Sequence, residues 1–331
     1  MRFNLNHSCF HQGPNTGSLV LMSQFALKGR HRLYVNEPSQ RGYKQWVSSL
    51  PTELADEWNL AIDYSVELEA MEPASRVVTV CEETPASLAK DDLIINVESA
   101  ERMVREPFRV FVENDDADRD FLLTFSNRHQ AKKIAELERE LLLSFEHCGG
   151  IGELKKKVRK YAEREALNSL NCSAVFDSDA PGPGMMSADA IAAQATCDTF
   201  ELPAFMLKRR AIENYLMRSW LKGWASSLSG KRRREKLKLV DAFSKLSLEQ
   251  RSHFHMKKGL KADQIRIQSK EFSLYDGVPA QDLTLLNDGF GDGLAASLYA
   301  TDWVKDVQAV EDTDAWKEVN DMVNDILVLC R

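Results

Sequence analysis

The chain has 331 residues, of which 44% are hydrophobic and 28% are charged, and its formal net charge is −7. This is the composition of an ordinary globular protein of about two domains at roughly 150 residues each, and the negative charge argues against a general nucleic-acid coat. There is no membrane-spanning or signal-peptide pattern, so we expect a cytoplasmic protein that binds no membrane. Its six cysteines show no paired CxxC spacing, which is typical of reduced thiols.

The charge is strongly segregated along the chain. Residues 201–270 hold 18 Lys and Arg against 6 Asp and Glu, whereas residues 271–331 hold 3 against 13. A basic block between acidic ones can bind a polyanion whatever the sign of the whole chain.

Residues 1–105 are predicted to form a separate α+β extension that serves as a partner or assembly region. A helix is expected to begin at Pro51, and short strands are expected at 76–82 and 93–99. No catalytic pattern occurs in this segment.

Residues 106–220 show a regular alternation of strands and helices. The run "FRVFVE" at 108–113 is almost continuously apolar, which is typical of a strand buried on both faces of a parallel sheet. The strands are predicted at 108–113, before Gly149-Gly150, at 172–179 and at 200–207, and the helices at 118–141, 152–170, 187–196 and 210–228. This order predicts an α/β domain with a parallel sheet and right-handed crossovers. Residues 221–331 are predicted to be mainly helical, first basic and then acidic.

Acidic side chains end two of these strands. Glu113 ends the first, and Asp177 and Asp179 end the third in "AVFDSDAPGPG". Ligands of parallel sheets bind beyond the carboxyl ends of the strands, and converging carboxylates raise each other's pKa unless a cation lies between them. Oxygen-only ligands favour a hard ion such as Mg²⁺ or Mn²⁺, which acts on phosphate oxygens. The alternative for the two aspartates is a strand-ending turn, and Asp118 is interpreted as a helix cap rather than a ligand.

These motifs carry a resemblance to a known family. The sequence "VFVENDDADRDFL", then Gly149-Gly150, then "AVFDSDAPGPG" resembles the toprim domain of topoisomerases, primases and OLD-family nucleases. That family has a Glu after its first strand and an Asp-x-Asp-x-x-Gly pattern after its third, which Glu113 and the two aspartates with Gly182 match. Asn114 stands where the family usually has Gly, and Asn also tolerates left-handed backbone.

The later stretch "LKRRAIENYL" at 207–216 resembles a motif of toprim-like nucleases from bacterial phage-defence systems. The resemblance covers about a third of the chain and implies a toprim-like parallel sheet flanked by helices. It implies a metal-dependent endonuclease that acts in anti-phage or anti-plasmid defence, with an ABC-type ATPase subunit as partner. It assigns catalysis to Glu113, Asp177, Asp179 and Glu213, with the first three as ligands of Mg²⁺ or Mn²⁺, and Asn214 also falls in the motif.

The basic block contains the expected contacts to nucleic acid, with DNA favoured over RNA. The expected contact residues are Lys231, Arg232, Arg233, Arg234, Lys257 and Lys258. Basic groups neutralise backbone phosphates, but a run of charge is also typical of a solvated helix face. Pairing with the acidic segment 271–331 is a further alternative. His253 or His255 is a candidate for proton transfer.

Three other functional classes were weighed against the nuclease. An aspartate-nucleophile phosphatase usually has Thr or Val two residues after the second Asp, where this chain has Pro181. A P-loop enzyme needs a G-x-x-x-x-G-K-[ST] motif, which does not occur. A non-catalytic assembly subunit with a degenerate toprim fold is the remaining alternative, although the intact Glu113, Asp177 and Asp179 favour the enzyme. Assembly of the chain into a homo-oligomer is left open by the sequence.

Overall fold

In this computed structural model, which describes residues 1–11, 15–82, 93–164, 166–264, 273–300 and 313–330, the N-terminal strands form one parallel sheet. The strands are β1 (Arg2–Leu5), β2 (Arg32–Val35), β3 (Val77–Cys81) and β4 (Ile94–Asn96), in the order β2-β1-β3-β4. The strands described in this segment are all parallel, and helices connect β1 to β2 and β2 to β3, so the segment is an α/β unit rather than the predicted α+β extension.

The second sheet lies in the segment where alternating strands and helices were predicted, and it is also parallel throughout. Its strands are β5 (Phe108–Val112), β6 (Leu143–His147), β7 (Cys172–Phe176) and β8 (Ala204–Met206), in the order β6-β5-β7-β8. Every residue of β7 is buried, as expected for a strand covered on both faces. The predicted α/β fold with a parallel sheet flanked by helices is confirmed.

The strand order places a crevice between β5 and β7. The chain goes from β5 to β6 on one side, and then β7 pairs with β5 on the other side. This reversal of direction opens a crevice at the carboxyl ends of the two strands, where ligands of parallel sheets bind. Glu113 and Asp177 are the residues that directly follow β5 and β7.

Helices cover both sheets and make up most of the C-terminal region. The α-helices span Thr16–Leu27, Gln40–Ser48, Thr52–Met71, Val97–Arg105, Asp115–Thr124, Arg128–Arg139, Ile151–Arg164, Ala188–Thr199, Arg218–Ser227, Gly230–Lys245, Leu248–His253, Ala280–Leu286, Leu294–Tyr299 and Thr313–Leu329. Short 3₁₀ turns span His7–Phe10, Glu37–Ser39, Ala166–Asn171, Ile212–Tyr215 and Leu260–Asp263. Within the described ranges, no helix is long and apolar enough to cross a membrane.

The hydrophobic core divides into clusters that follow the two sheets. Among the described residues, the buried members of one cluster lie between Phe3 and Val104, apart from Leu167, and Leu170 packs against it. Helices Ile151–Arg164 and Ala188–Thr199 cover one face of the second sheet. A larger cluster on its other face includes buried residues of the C-terminal helices up to Cys330. The C-terminal region therefore shares its core with the second sheet.

Two predicted helices are interrupted. The helix predicted at 118–141 is two helices, because Asn127 caps the second one in a capping box with Gln130. The helix predicted at 210–228 begins only at Arg218. Before it, the Asn214 side chain accepts a hydrogen bond from the Ala211 N–H and stabilises a 3₁₀ turn instead. Ser187 caps helix Ala188–Thr199 as predicted, since its side chain accepts a hydrogen bond from the Ala190 N–H.

Candidate active site

Glu113 is held where β5 ends and the next helix begins. Its carbonyl oxygen accepts hydrogen bonds from the N–H groups of Gly149 (2.9 Å) and Gly150 (3.3 Å). Both glycines have positive φ, 85° and 108°, which a side chain would disfavour. Its carboxylate accepts from the N–H of Asp177 at 3.0 Å. The Gly149-Gly150 pair therefore lets the backbone after β6 approach Glu113 and donate to its carbonyl.

The loop that follows β7 is fastened to residues 209–212. Asp177 accepts a hydrogen bond from the Ile212 N–H at 3.1 Å, and the Asp179 N–H donates to the Arg210 carbonyl at 2.8 Å. Asp179 has φ 47°, a left-handed conformation that Asp adopts more readily than most residues. These bonds hold both aspartates at the carboxyl edge of the sheet.

Glu213 reaches the site from a buried 3₁₀ turn. Its residue surface is 5% exposed, and the carbonyl of neighbouring Ile212 accepts from the Tyr299 hydroxyl at 2.8 Å. Asn214 donates its amide to the carbonyls of Arg251 and Phe254, at 2.7 and 2.8 Å. The Asn214 side chain therefore anchors the turn that presents Glu213.

Lys257 contributes a cation to the same place. Its Nζ lies 3.2 Å from Oε1 of Glu213. Burial lowers the pKa of Lys257, but the negative charges of Glu213, Asp177 and Glu113 outweigh burial, so the pKa is raised. The structure therefore assigns this predicted nucleic-acid contact to a position among the acidic residues.

The loop that carries Lys257 is fixed by two glycines in close contact. A Cβ on Gly259 would lie 2.3 Å from the Leu286 carbonyl, and a Cβ on Gly289 would lie 2.5 Å from the Gly259 nitrogen. Both have positive φ. A residue with a Cβ does not fit this approach, so both positions require glycine.

Asp118 belongs to the site, which the sequence reasoning missed. The N-cap of its helix is Asn114, not Asp118, and the Asp118 carboxylate accepts from the Asn114 N–H at 2.8 Å. Asn114 is extended, with φ −137°, so its position does not require the Gly of the toprim pattern. Burial, followed by the charges of Glu113 and Glu213, raises the pKa of Asp118 to about 7. In the sequence, the position of Asp118 five residues after Glu113 does not distinguish a residue of the site from an ordinary helix cap.

We call Glu113, Asp118, Asp177, Asp179 and Glu213 the carboxylate cluster. Burial raises the pKa of Glu113, and the charge of Asp179 adds to it. Burial raises the pKa of Asp177 well above its ordinary value, and Glu113 and Glu213 are the next causes. Desolvation also raises the pKa of Asp179, against the opposing charges of Arg210 and Lys257. Burial, together with the neighbouring carboxylates, therefore disfavours the ionised forms of the cluster, and an added cation would offset this cost.

The oxygen donors of the cluster are of the type that a hard divalent cation prefers, but the side chains are not positioned to bind one. Its side chains offer only carboxylate oxygens, which magnesium and manganese prefer. Among the residues that the structure describes, no group of three or more His, Cys, Asp or Glu side chains is placed so that it could hold a metal ion as it stands. The carboxylates would have to close around the ion on binding, and a single-ion cluster stays a prediction.

A buried ion pair lies next to the loop that carries Asp179, because the Arg210 carbonyl accepts from the Asp179 N–H. Arg210 donates to both carboxylate oxygens of Asp263, at 2.6 and 3.2 Å, and to the carbonyl of His253 at 3.2 Å. The His253 ring contacts the Ala180 carbonyl at 3.0 Å, and burial lowers its pKa. Burial, followed by the charge of Arg210, lowers the pKa of His255 to about 4. Both imidazoles are therefore neutral at neutral pH.

The remaining predicted nucleic-acid contacts lie on the surface. Residues 231–234 are exposed in the first turns of helix Gly230–Lys245, where Lys231 pairs with Glu235 at 3.6 Å. Lys258 is exposed beside Lys257. Pairing of the basic block with the acidic segment does occur, but at other lysines. Lys245 contacts Asp282 and Lys261 contacts Asp288, both at 2.9 Å.

Comparisons with known proteins add no relative: no family model, no curated protein and no solved structure matches the chain.

Proposed function

We propose that this protein is a metal-dependent nuclease that hydrolyses phosphodiester bonds of nucleic acid at the carboxylate cluster. The observation that carries the proposal is the meeting of Glu113 and Asp177 at the crevice between β5 and β7. The Glu113 carboxylate accepts a hydrogen bond from the Asp177 N–H. Burial raises both pKa values, and the charge of Asp179 adds to the rise at Glu113 while the charge of Glu113 adds to it at Asp177. Stability alone gives no reason to gather like charges in this way.

Glu113, Asp177 and Asp179 are the residues that would hold Mg²⁺ or Mn²⁺. When bound, such an ion neutralises phosphate charge and activates water. The roles of the protein's own groups follow from their contacts. Glu213 holds Lys257 beside the cluster, where its ammonium is available to bind a phosphate oxygen of the substrate. Asp118, with its pKa of about 7, is suited to exchange a proton near neutral pH.

The biological setting rests on the resemblance to toprim-like phage-defence nucleases. On that basis the protein is the cytoplasmic effector subunit of an anti-phage or anti-plasmid system with an ABC-type ATPase partner, and DNA is its substrate.

The function is tested by cleavage of supercoiled plasmid and of transfer RNA, with Mg²⁺ or Mn²⁺ and with excess chelator. Each reaction is run with the protein alone and with any ATPase encoded beside it. We expect cleavage only with metal, and at least a roughly 100-fold loss in Glu113→Gln and in Asp177→Asn. Glu140→Gln, which changes an exposed acid at the end of helix Arg128–Arg139, is the matched control and retains full activity. Cleavage that persists in chelator, or no cleavage under any of these conditions, contradicts the proposal.

One pair of observations favours the alternative of a non-catalytic assembly subunit. Lys257 already places a positive charge in the cluster, and the described side chains hold no preassembled metal group. Under this alternative the acidic residues serve folding, and Glu113→Gln would change stability without any loss of metal binding. Calorimetric titration with Mn²⁺ separates the two functions.

A further inference from the structure

Helix Ile151–Arg164 carries a cationic surface that the sequence reasoning did not assign to a function; we call it the basic helix. Its apolar positions, among them Leu154 and Val158, are buried against the second sheet. Six Lys and Arg and two Glu occupy its fourteen residues, at Lys155, Lys156, Lys157, Arg159, Lys160, Arg164, Glu153 and Glu163. The cations other than Lys155 are exposed.

The basic helix begins at the carboxylate cluster. The two residues directly before the helix, Gly149 and Gly150, donate hydrogen bonds to the Glu113 carbonyl. Lys155 lies 3.9 Å from Asp189, which opens the helix that follows the Asp177–Asp179 loop. Lys157 donates to the carbonyl of His147, the last residue of β6. The start of the helix therefore lies at the carboxyl edge of the sheet, beside the proposed site of hydrolysis.

Most of the Lys and Arg side chains on the outer face of the basic helix have no acidic partner among the described residues. Lys156 pairs with Glu153 at 2.6 Å. In the described part of the chain, Arg159, Lys160 and Arg164 have no ion pair. At roughly 1.5 Å per residue, the exposed cations from Lys156 to Arg164 span about 12 Å along the helix, and a duplex presents one phosphate per strand about every 3.4 Å along its axis. The row of cations is thus long enough to follow several consecutive phosphates.

We infer that the basic helix is the surface on which the nucleic-acid backbone lies as it enters the carboxylate cluster, with Lys156, Arg159 and Lys160 as phosphate contacts. This inference rests on the proposed nuclease function. The basic helix begins directly after the two glycines that bond to Glu113, whereas residues 231–234 make no hydrogen bond or ion pair with a member of the cluster among the described residues. Phosphate contacts of this kind position the substrate without reading its sequence.

The test compares two charge reversals of equal size. One variant carries Lys156→Glu, Arg159→Glu and Lys160→Glu. The matched control carries Arg128→Glu, Lys132→Glu and Arg139→Glu, which reverses the same number of exposed cations on helix Arg128–Arg139. Binding of a labelled duplex of about 30 base pairs is measured in chelator over a salt series, and circular dichroism checks folding.

The first variant is expected to bind at least tenfold more weakly than wild type. Its log–log salt slope should flatten by about 0.9 for each phosphate that the variant no longer neutralises, whereas the control should bind almost as wild type does. An equal or larger loss of affinity in the control, or unchanged affinity in the first variant, overturns the inference. Metal-dependent cleavage by the wild type separates this failure from a failure of the proposed function. If the wild type cleaves and the first reversal leaves binding unchanged, only the assignment of the surface is wrong; if the wild type neither binds nor cleaves, both fail.

Discussion

Substitution of Asp118 by Asn should remove a large pH dependence from the stability of the metal-free protein. The carboxyl is buried, with 7% of the residue exposed, and burial followed by the charges of Glu113 and Glu213 raises its pKa from 3.8 to about 7. The folded state therefore holds this proton more tightly than the unfolded state does. The contribution of Asp118 to stability is therefore fully present below about pH 4 and is lost as the pH rises through about 7.

The size of this effect follows from the shift. Three pKa units correspond to about 4 kcal/mol in full, of which about 3 kcal/mol develops between roughly pH 4.5 and pH 8. Asn keeps an oxygen that can accept the Asn114 N–H but has no proton to lose. Asp118→Asn should therefore gain about 3 kcal/mol relative to wild type between these two pH values.

The assay is urea unfolding in chelator, followed by circular dichroism at the two pH values. Asp56→Asn, at an exposed position of helix Thr52–Met71, is the control and should change with pH as the wild type does. If Asp118→Asn and wild type lose stability in parallel as the pH rises, the electrostatic account of the carboxylate cluster is refuted.

Other substitutions test the support of the site. Arg210→Met should cost about 3–5 kcal/mol in urea unfolding, because it leaves Asp263 buried and unpaired, and changing Asp263 to Leu as well should recover part of the loss. Gly259→Ala should lower the melting temperature by several degrees, since the new Cβ meets backbone at 2.3 Å, whereas Gly152→Ala has open space and should be neutral or slightly stabilising. Lys257→Met should destabilise the metal-free protein more at pH 8 than at pH 5, because burial raises the pKa of Asp177 and of Glu113 and so leaves less negative charge for Lys257 to neutralise at the lower pH; equal losses at both values would refute that role.

The parallel sheet and its acidic edge were predictable because they depend on local patterns. A continuous apolar run predicts a strand covered on both faces, and β5 and β7 lie where such runs occur. The alternation of strands and helices then placed Glu113 and Asp177 at the same edge of the sheet. Their direct contact follows from the pairing of β5 with β7.

The rest of the site depends on contacts that are distant in the sequence. The segment at 210–217 has the apolar spacing of a helix, but the buried side chain of Asn214 bonds to the backbone of Ala211 and forms a 3₁₀ turn. Asp118 and Lys257 join the cluster because elements far apart in the chain pack together, and no local pattern distinguishes a surface lysine from one directed at Glu213. The basic residues at 231–234 show the same limit, since their charge is visible in the sequence but their distance from the cluster is not.

The most direct test of the account is binding of Mn²⁺ to the isolated protein, measured by isothermal titration calorimetry at pH 8, because it requires no substrate, trigger or partner. The account predicts saturable binding to the wild type and to Glu140→Gln. It also predicts a loss of affinity of at least about tenfold in Glu113→Gln and in Asp177→Asn, since each removes a charged ligand. No saturable binding to the wild type, or equal affinity in all four proteins, would contradict the claim that the carboxylate cluster is a metal-dependent active site.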